Sequence, residues 1–398
     1  MEVKPGYKQT EVGVIPEEWE VRSLGTLATM VASGRSRVAA ACGSYPVHGS
    51  TGVIGYTEKP DYEGDVILAA RVGANAGKLN LVSGQYGVTD NTIMVRLSSG
   101  CCLPFFWRQL ESKRLNSLVF GSGQPLITGT QLKALPLGVP PLPEQRAIAG
   151  VLSDVDALIG ALDSALAKKR DLKQAAMQQL LTPPGAGQAG QKRLPGFHGE
   201  WQNKPLGDLI SHCFSGATPR RIRHDYFKGD IRWITSGELN YNMITDTAEK
   251  ISSEAAARTN LKIVPKGTFL MAITGLEAEG TRGSCGIVGE PSTTNQSCMA
   301  IFPTSDLVTA YLFHYYVLRG EALAFQYCQG TKQQSYTAKL VKQLPIALPP
   351  TTTEQTAIAE VLSDMDVELA ALTQRRDKTR ALKQGMMQEL LTGRIRLV

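Results

Sequence analysis

PEQRAIAGVLSDVDALIGALDSALAKKRDLKQAAMQQLLT occupies residues 143–182, and TEQTAIAEVLSDMDVELAALTQRRDKTRALKQGMMQELLT occupies residues 353–392. Aligned without a gap across an offset of 210 residues, the two stretches share 22 of 40 positions. The identical runs include Val151-Leu152-Ser153-Asp154 against Val361-Leu362-Ser363-Asp364, and Leu172-Lys173-Gln174 against Leu382-Lys383-Gln384. A period this long exceeds the roughly 20–50 residues of a solenoid unit. What is doubled is a globular domain with its helix.

Each copy reads as one long helix. Ile148, Val151, Leu152, Val155, Leu158, Ile159, Leu162 and Leu166 recur at three- and four-residue spacing, and Leu172, Ala176 and Leu180 resume the stripe. Ile358, Val361, Leu362, Met365, Leu369 and Leu372 repeat the pattern in the second copy, followed by Leu382, Met386 and Leu390. Such a stripe is one apolar seam. Pro140-Pro141-Leu142-Pro143 delays the first helix until Glu144, and Thr353 is the expected N-cap of the second. Pro183-Pro184-Gly185 and Gly393 mark the two stops. About 38 residues at 1.5 Å each make a rod of about 57 Å, longer than one small domain covers. The two seams are therefore expected to bury each other, antiparallel if a pseudo-two-fold axis relates the halves. The alternative is two amphipathic helices, each packed only on its own globular half.

The regions before and between the copies carry short apolar runs broken by Gly, Pro and Asn. Asp65–Ala70, Thr92–Val95, Ile231–Ile234 and Thr268–Ile273 are strand signals, and helical patches fall at 105–119 and 306–325. The halves echo each other at their edges: Pro5-Gly6-Tyr7, Glu18-Trp19 and Leu24-Gly25 against Pro195-Gly196-Phe197, Glu200-Trp201 and Leu206-Gly207. Between these brackets identity collapses. The expected class is α+β, with two globular domains separated by two long helices forming an antiparallel coiled coil of pseudo-two-fold symmetry. The expected bounds are a first domain at 1–142, a helix at 143–182, a linker at 183–194, a second domain at 195–350 and a helix at 351–398.

Bulk properties exclude several classes. No apolar run reaches the length of a membrane span, and the acidic N-terminus has no signal-peptide core. Seven cysteines with no CxxC fit neither a disulfide framework nor a zinc ribbon. Cys101-Cys102 is expected inside a domain, and the compartment reads as reducing, hence cytoplasmic. The net charge of +6 falls wholly outside the repeats, which balance at 5 against 5 in 143–182 and 7 against 7 in 351–398. Excess positive charge on the globular halves suits nucleic acid but does not by itself decide for it.

Motifs for catalysis are absent. Gly185–Gly190 spells GxGxxG but follows Pro-Pro after a helix, so it reads as linker. There is no GxxxxGK[ST] loop, no HExxH and no amino-methyltransferase motif. Polar Gly-rich loops suited to DNA are present instead. Arg71-Val72-Gly73-Ala74-Asn75-Ala76-Gly77-Lys78 follows a strand, and Asn91 opens the next. The second half offers Gly280-Thr281-Arg282-Gly283, Thr294-Asn295-Gln296-Ser297 and the run Arg220-Arg221-Ile222-Arg223. Small residues admit close backbone approach, Asn and Gln pair with adenine edges, and Arg and Lys pair with guanine or phosphate. The candidates are Arg71, Asn75, Lys78 and Asn91 for one part of a site, and Arg220, Arg221, Arg282, Asn295 and Gln296 for the other.

The doubled helix, with Pro-Pro-x-x-Glu-Gln at its start, Ile-Ala-x-Val-Leu-Ser-Asp within it and Leu-Lys-Gln-x-x-Met-Gln-x-Leu-Leu-Thr at its end, resembles the specificity subunit of type I restriction–modification enzymes. The resemblance spans the chain. Ser215–Pro219, Gly229–Ile234 and Pro265–Thr268 look like one target-recognition domain of that family, and Tyr45–Gly49 with the Arg71–Lys78 loop looks like another. Thr351-Thr352-Thr353 departs from the Pro-Leu-Pro expected before Glu354, which should alter how the chain enters the second helix. The resemblance implies two target-recognition domains reading an asymmetric, two-part site in double-stranded DNA, with the helix pair as spacer. It implies two methyltransferase subunits that bind S-adenosylmethionine and methylate adenine. It also implies restriction subunits using ATP and Mg, and no cofactor or catalysis in this chain. On the residues alone, a coiled-coil adaptor without a nucleic-acid role stays open, as does an enzyme with an unrecognised site in one half. So does a target-recognition part related to fused restriction–methylation enzymes.

Overall fold

The computed structural model describes residues 4–37, 43–118, 126–184, 193–276, 281–328 and 334–397. Two compact units make up the chain, residues 1–164 with 373–398, and residues 165–372. The boundaries cut both long helices, so each unit owns part of each. The Gly185–Gly190 segment lies outside the described residues.

The long helices span Leu142–Leu180 and Thr352–Leu390, equivalent stretches of the repeat. Both begin two residues before the Glu144 and Glu354 starts that the proline and N-cap signals gave. Pro143 sits inside the first turn, where a missing N–H forfeits no intrahelical bond. Thr351, not Thr353, caps the second helix, its Oγ1 accepting from the Glu354 amide at 3.3 Å. The Thr-Thr-Thr departure therefore leaves the helix start where the first copy has it. Gly393 stands at φ +72°, and the Arg394 amide donates to Glu389 O at 2.9 Å, closing the last turn as a glycine after a helix does.

The globular parts share one plan. In the first unit a four-stranded sheet has the order Ala28–Ser33, Thr92–Leu97, Val66–Ala70, Leu79–Val82. In the second unit Ile210–Ser215, Cys298–Pro303, Phe269–Ala272 and Cys285–Val288 repeat that order, with Asn242–Ile244 added at the edge. Val66–Ala70 and Phe269–Ala272 are buried along their whole length, which explains their unbroken apolar runs. A second sheet in each unit, of four strands in the first and three in the second, contains one parallel pair, registered Val47 on Gly87 and Trp233 on Thr293. The helical patches resolve into Leu103–Ser112 and Thr309–Tyr327. The six described cysteines are all free, and Cys101 and Cys102 are half-buried.

The repeated polar residues explain why the helices are alike. Glu144, Gln145, Glu354 and Gln355 are all buried. Gln145 Oε1 accepts from the Cys102 amide at 2.9 Å, and Gln355 Oε1 accepts from the Val308 amide at 2.8 Å. Each glutamine thus satisfies an orphan N–H at the start of the neighbouring domain helix. Each glutamate receives two guanidinium nitrogens from just beyond the end of the other long helix. Arg193 reaches Glu354 at 2.6 Å through both Nε and Nη2, and Arg396 reaches Glu144 at 2.6 and 3.0 Å. These bidentate, charge-assisted bonds hold both arginines above the usual guanidinium pKa.

Along the helices, Lys173 pairs with Asp366 in one unit, and Lys383 pairs with Asp156 at 2.7 Å in the other. These are the same two repeat positions with roles exchanged. Asp163 meets Arg380 at 2.8 Å, and Lys169 meets Glu368 at 2.5 Å. Within each unit, higher positions on one helix face lower positions on the other, so the segments run antiparallel. These pairs serve mainly to fix register, and the exposed Asp163–Arg380 and Lys169–Glu368 contribute little stability. They also correct the expected seam. Leu172 and Leu382 are 48% and 60% exposed, and Leu158 and Val361 also face solvent. The half-buried Lys173 and Lys383 occupy the contact rung, and the preceding leucines are turned away by the roughly 100° that one helical residue rotates.

His314 packs from Thr309–Tyr327 against the second long helix, its Nε2 3.0 Å from Ser363 Oγ. Its Nδ1 has no partner among the described residues. Burial lowers its pKa to about 4, Asp366 opposing and Lys173 adding to the shift. The folded value lies below the unfolded 6.5, so the unfolded chain gains the proton first. Stability of this unit is expected to be complete above pH 6.5 and to fall by about 3 kcal/mol as pH drops to 4. Melting temperatures across that range check this. His314→Gln should flatten the decline, and an unchanged slope would refute the assignment.

Candidate nucleic-acid interface

In the first unit the predicted residues gather at one end of the Val66–Ala70 and Thr92–Leu97 strand pair. The Arg71 amide donates to Asn91 O at 3.0 Å, and the Lys78 amide donates to Asn75 O at 2.9 Å. The Ala70 amide donates to Lys78 O at 2.9 Å, closing the turn between neighbouring strands. Gly77, at φ +90°, permits this turn, because a Cβ there would lie 2.5 Å from the Asn116 amide nitrogen. The Lys78 and Asn91 residues are exposed, and Asn75 is half-buried. Arg71 is less free, since its Nη1 donates to Ser33 Oγ at 3.0 Å and Asp90 O at 3.4 Å.

The second unit builds the same corner from other residues. The Ile273 amide donates to Ser297 O at 2.9 Å, and the Ala272 amide to Ser284 O at 2.9 Å. Ile273 thus stands where Arg71 stands, and Ser297 where Asn91 stands. Gly283, at φ +76°, matches Gly77, with a Cβ position 2.5 Å from the Glu321 amide nitrogen. The corner is common to both units, and its polar residues are not.

Asn295 and Gln296 occupy the turn of this corner. Asn295 Oδ1 accepts from the Ser297 amide at 3.0 Å, and Gln296 Oε1 accepts from Thr218 Oγ1. Arg282 lies on a second loop, its Nε donating to Gln334 Oε1 at 3.4 Å and its carbonyl accepting from Tyr241 Oη at 3.3 Å. Gln334 O in turn accepts from the Leu276 amide at 3.3 Å, and Thr274 Oγ1 donates to Ser297 Oγ at 2.7 Å. Hydrogen bonds thereby connect the Arg282 and Asn295 loops. Gly280 lies outside the described residues. Tyr241 and Gln334 carry no signal in the sequence, and Thr218 stands out there only as part of the Ser215–Pro219 stretch. Tyr241 adopts φ +57°, a left-handed conformation with no sequence signature in a tyrosine.

Arg220 is exposed at the start of a turn in which the Arg223 amide donates to Arg220 O at 3.0 Å. Arg221 turns back onto the domain, bonding Glu249 at 2.6 Å and lying 4.5 Å over the Phe227 ring. The Glu249 bond raises its pKa.

The family model for the type I restriction modification DNA specificity domain matches residues 16–168 and 198–379. The chain belongs to this family. Among its relatives, the type I restriction enzyme MjaVIII specificity subunit of Methanocaldococcus jannaschii is 24% identical over 362 residues, covering 84% of this chain and 80% of that protein. The crystal structure of the type I restriction-modification system S subunit from M. genitalium shares the fold at a TM-score of 0.65 and 14% identity, covering 98% of each chain. A chain from a structure of type I R-M system assembly and conformational transition matches at a TM-score of 0.57 and 17% identity, covering 96% of this specificity-family chain and 99% of its own. Among the described residues of this specificity-family protein, no helix is long and apolar enough to cross a membrane.

Proposed function

We propose that this chain is the DNA sequence-recognition subunit of a type I restriction–modification complex, each unit reading one part of an asymmetric two-part site in double-stranded DNA. The observation that carries the proposal is the shared corner, identical in backbone plan and different in the polar groups it presents. Arg71, Asn75, Lys78 and Asn91 serve one part, and Arg220, Arg282, Asn295 and Gln296 serve the other, with Arg221 holding the turn that presents Arg220. Side chains on these turns read base edges, while lysines and arginines supply salt-dependent affinity through phosphates.

The long helices act as an antiparallel coiled-coil spacer between recognition domains at 1–142 and 195–350, and the middle of the DNA site goes unread. A helix of about 57 Å is longer than the ~34 Å repeat at which a like face of the groove returns. The exposed Leu172 and Leu382, identical in both copies, offer equivalent seats to two methyltransferase subunits. Those subunits would carry S-adenosylmethionine, and restriction subunits would carry ATP and Mg. The chain itself supplies recognition and assembly.

Methylome sequencing of cells carrying this subunit with its methyltransferase is expected to return one split motif. Asn75→Ala should then relax the preference at one position of one part by about 5- to 100-fold, the range of one good base contact, and leave the other part unchanged. Modification scattered over unsplit sequences would refute the proposal.

A further inference from the structure

The turn Arg220–Arg223 carries one side chain outside the candidate set. Ile222 is 85% exposed, a large apolar group at the tip of a run of arginines. Its neighbours are held. The Arg221 guanidinium bonds Glu249 and lies 4.5 Å from the Phe227 ring and 5.0 Å from the Trp233 ring. Arg223 makes two bonds to Asp225, at 2.9 and 2.7 Å, and lies 4.5 Å over the Tyr226 ring. The turn is closed by the Arg223 amide on Arg220 O, and its base is tied by Trp233 Nε1 donating to Ala217 O at 3.1 Å. Alternate side chains thus anchor the turn, and Arg220 and Ile222 are left projecting. Thr218, two residues before Arg220, bonds Gln296, so the turn is continuous with the second unit's candidate corner.

We infer that Ile222 is a specificity residue that contacts the 5-methyl group of a thymine in the major groove. This rests on the proposal that the second unit reads DNA. A cation beside an apolar tip matches a phosphate beside a groove wall that is polar except at thymine methyls. A flexible loop would lose the contact to ordering entropy, whereas this turn is already fixed by Arg221 and Arg223. Arg220 would hold a phosphate and set the depth of approach.

The test uses the subunit assembled with its methyltransferase and a duplex bearing the split motif found by methylome sequencing. Each thymine of the second part, on either strand, is replaced in turn by deoxyuridine, which removes only the methyl group. One replacement is expected to weaken wild-type binding about 5-fold. Ile222→Ser should bind the unmodified duplex about 5-fold more weakly and be indifferent to that same replacement. Equal sensitivity of wild type and Ile222→Ser at every position would overturn the inference, as would a second part without thymine on either strand. If the wild-type complex shows no sequence preference at all, the recognition proposal itself fails. Loss of preference in the second part by Ile222→Ser alone, with unchanged melting temperature, excludes a merely structural role.

Discussion

Arg396→Ala is expected to destabilise the first unit by about 3 kcal/mol, measured by urea unfolding followed through tryptophan fluorescence, to which Trp19 and Trp107 contribute from this unit. Glu144 is almost wholly buried, and Arg396 supplies two of the hydrogen bonds its carboxylate receives. Removing one partner of a buried pair costs about 3–5 kcal/mol, because the other charge stays behind unpaired. The low end applies here because Trp19 Nε1 still donates to Glu144 at 3.0 Å. The penalty belongs to the orphaned charge and not to the lost attraction. Arg396→Met combined with Glu144→Gln should therefore recover most of the stability. A loss below 1 kcal/mol in the single variant would show that water reaches Glu144 without cost.

Gly216→Ala should cost about 3 kcal/mol and abolish discrimination in the second part of the site alone. A Cβ at Gly216 would lie 1.7 Å from Thr294 O, a backbone atom that no rotamer change can move. Overpacking of this kind costs about 1–3 kcal/mol. The forced separation also strains the Gly216 amide bond to Asn295 O and the Ala217 amide bond to Thr294 O, both 3.1 Å. These bonds set the turn that carries Asn295 and Gln296. Gly34 holds the corresponding place in the first unit, its Cβ position 2.1 Å from Val88 O, so Gly34→Ala should blunt the first part only. Methylation rates on duplexes altered in one part at a time separate the two effects. If Gly216→Ala methylated altered and unaltered duplexes at wild-type ratios, the corner would not be the reading surface.

The helices, the strands at 66–70 and 269–272 and the glycine stop at Gly393 were legible because each is local: a period, an apolar run, a residue tolerant of positive φ. The Glu-Gln pair was visible as a repeat, but its purpose was not. That required Arg193 and Arg396, each outside the quoted repeat and far from its glutamate in sequence. The apolar stripe over-reached at Leu172 and Leu382 for the same reason, because a lysine paired across the helices claimed the inward position. In the candidate site, the described parts of the Gly-rich loops form turns, as their composition suggests. Which side chains those turns fix and which they release depends on Glu249, Phe227 and Asp225, whose nearness to the arginines is set by folding and not by residue type.

The Arg396–Glu144 bond joins residues 252 positions apart within a single compact unit. Position along the chain and membership in the fold are thus different coordinates. A change in the last few residues is felt at Trp19 and Glu18, at the opposite terminus, sooner than by the sequence that immediately precedes the second helix. Mutational coupling should accordingly be sought within the cluster of residues 18, 19, 144 and 396, where energies fail to add, and not between neighbours in the gene.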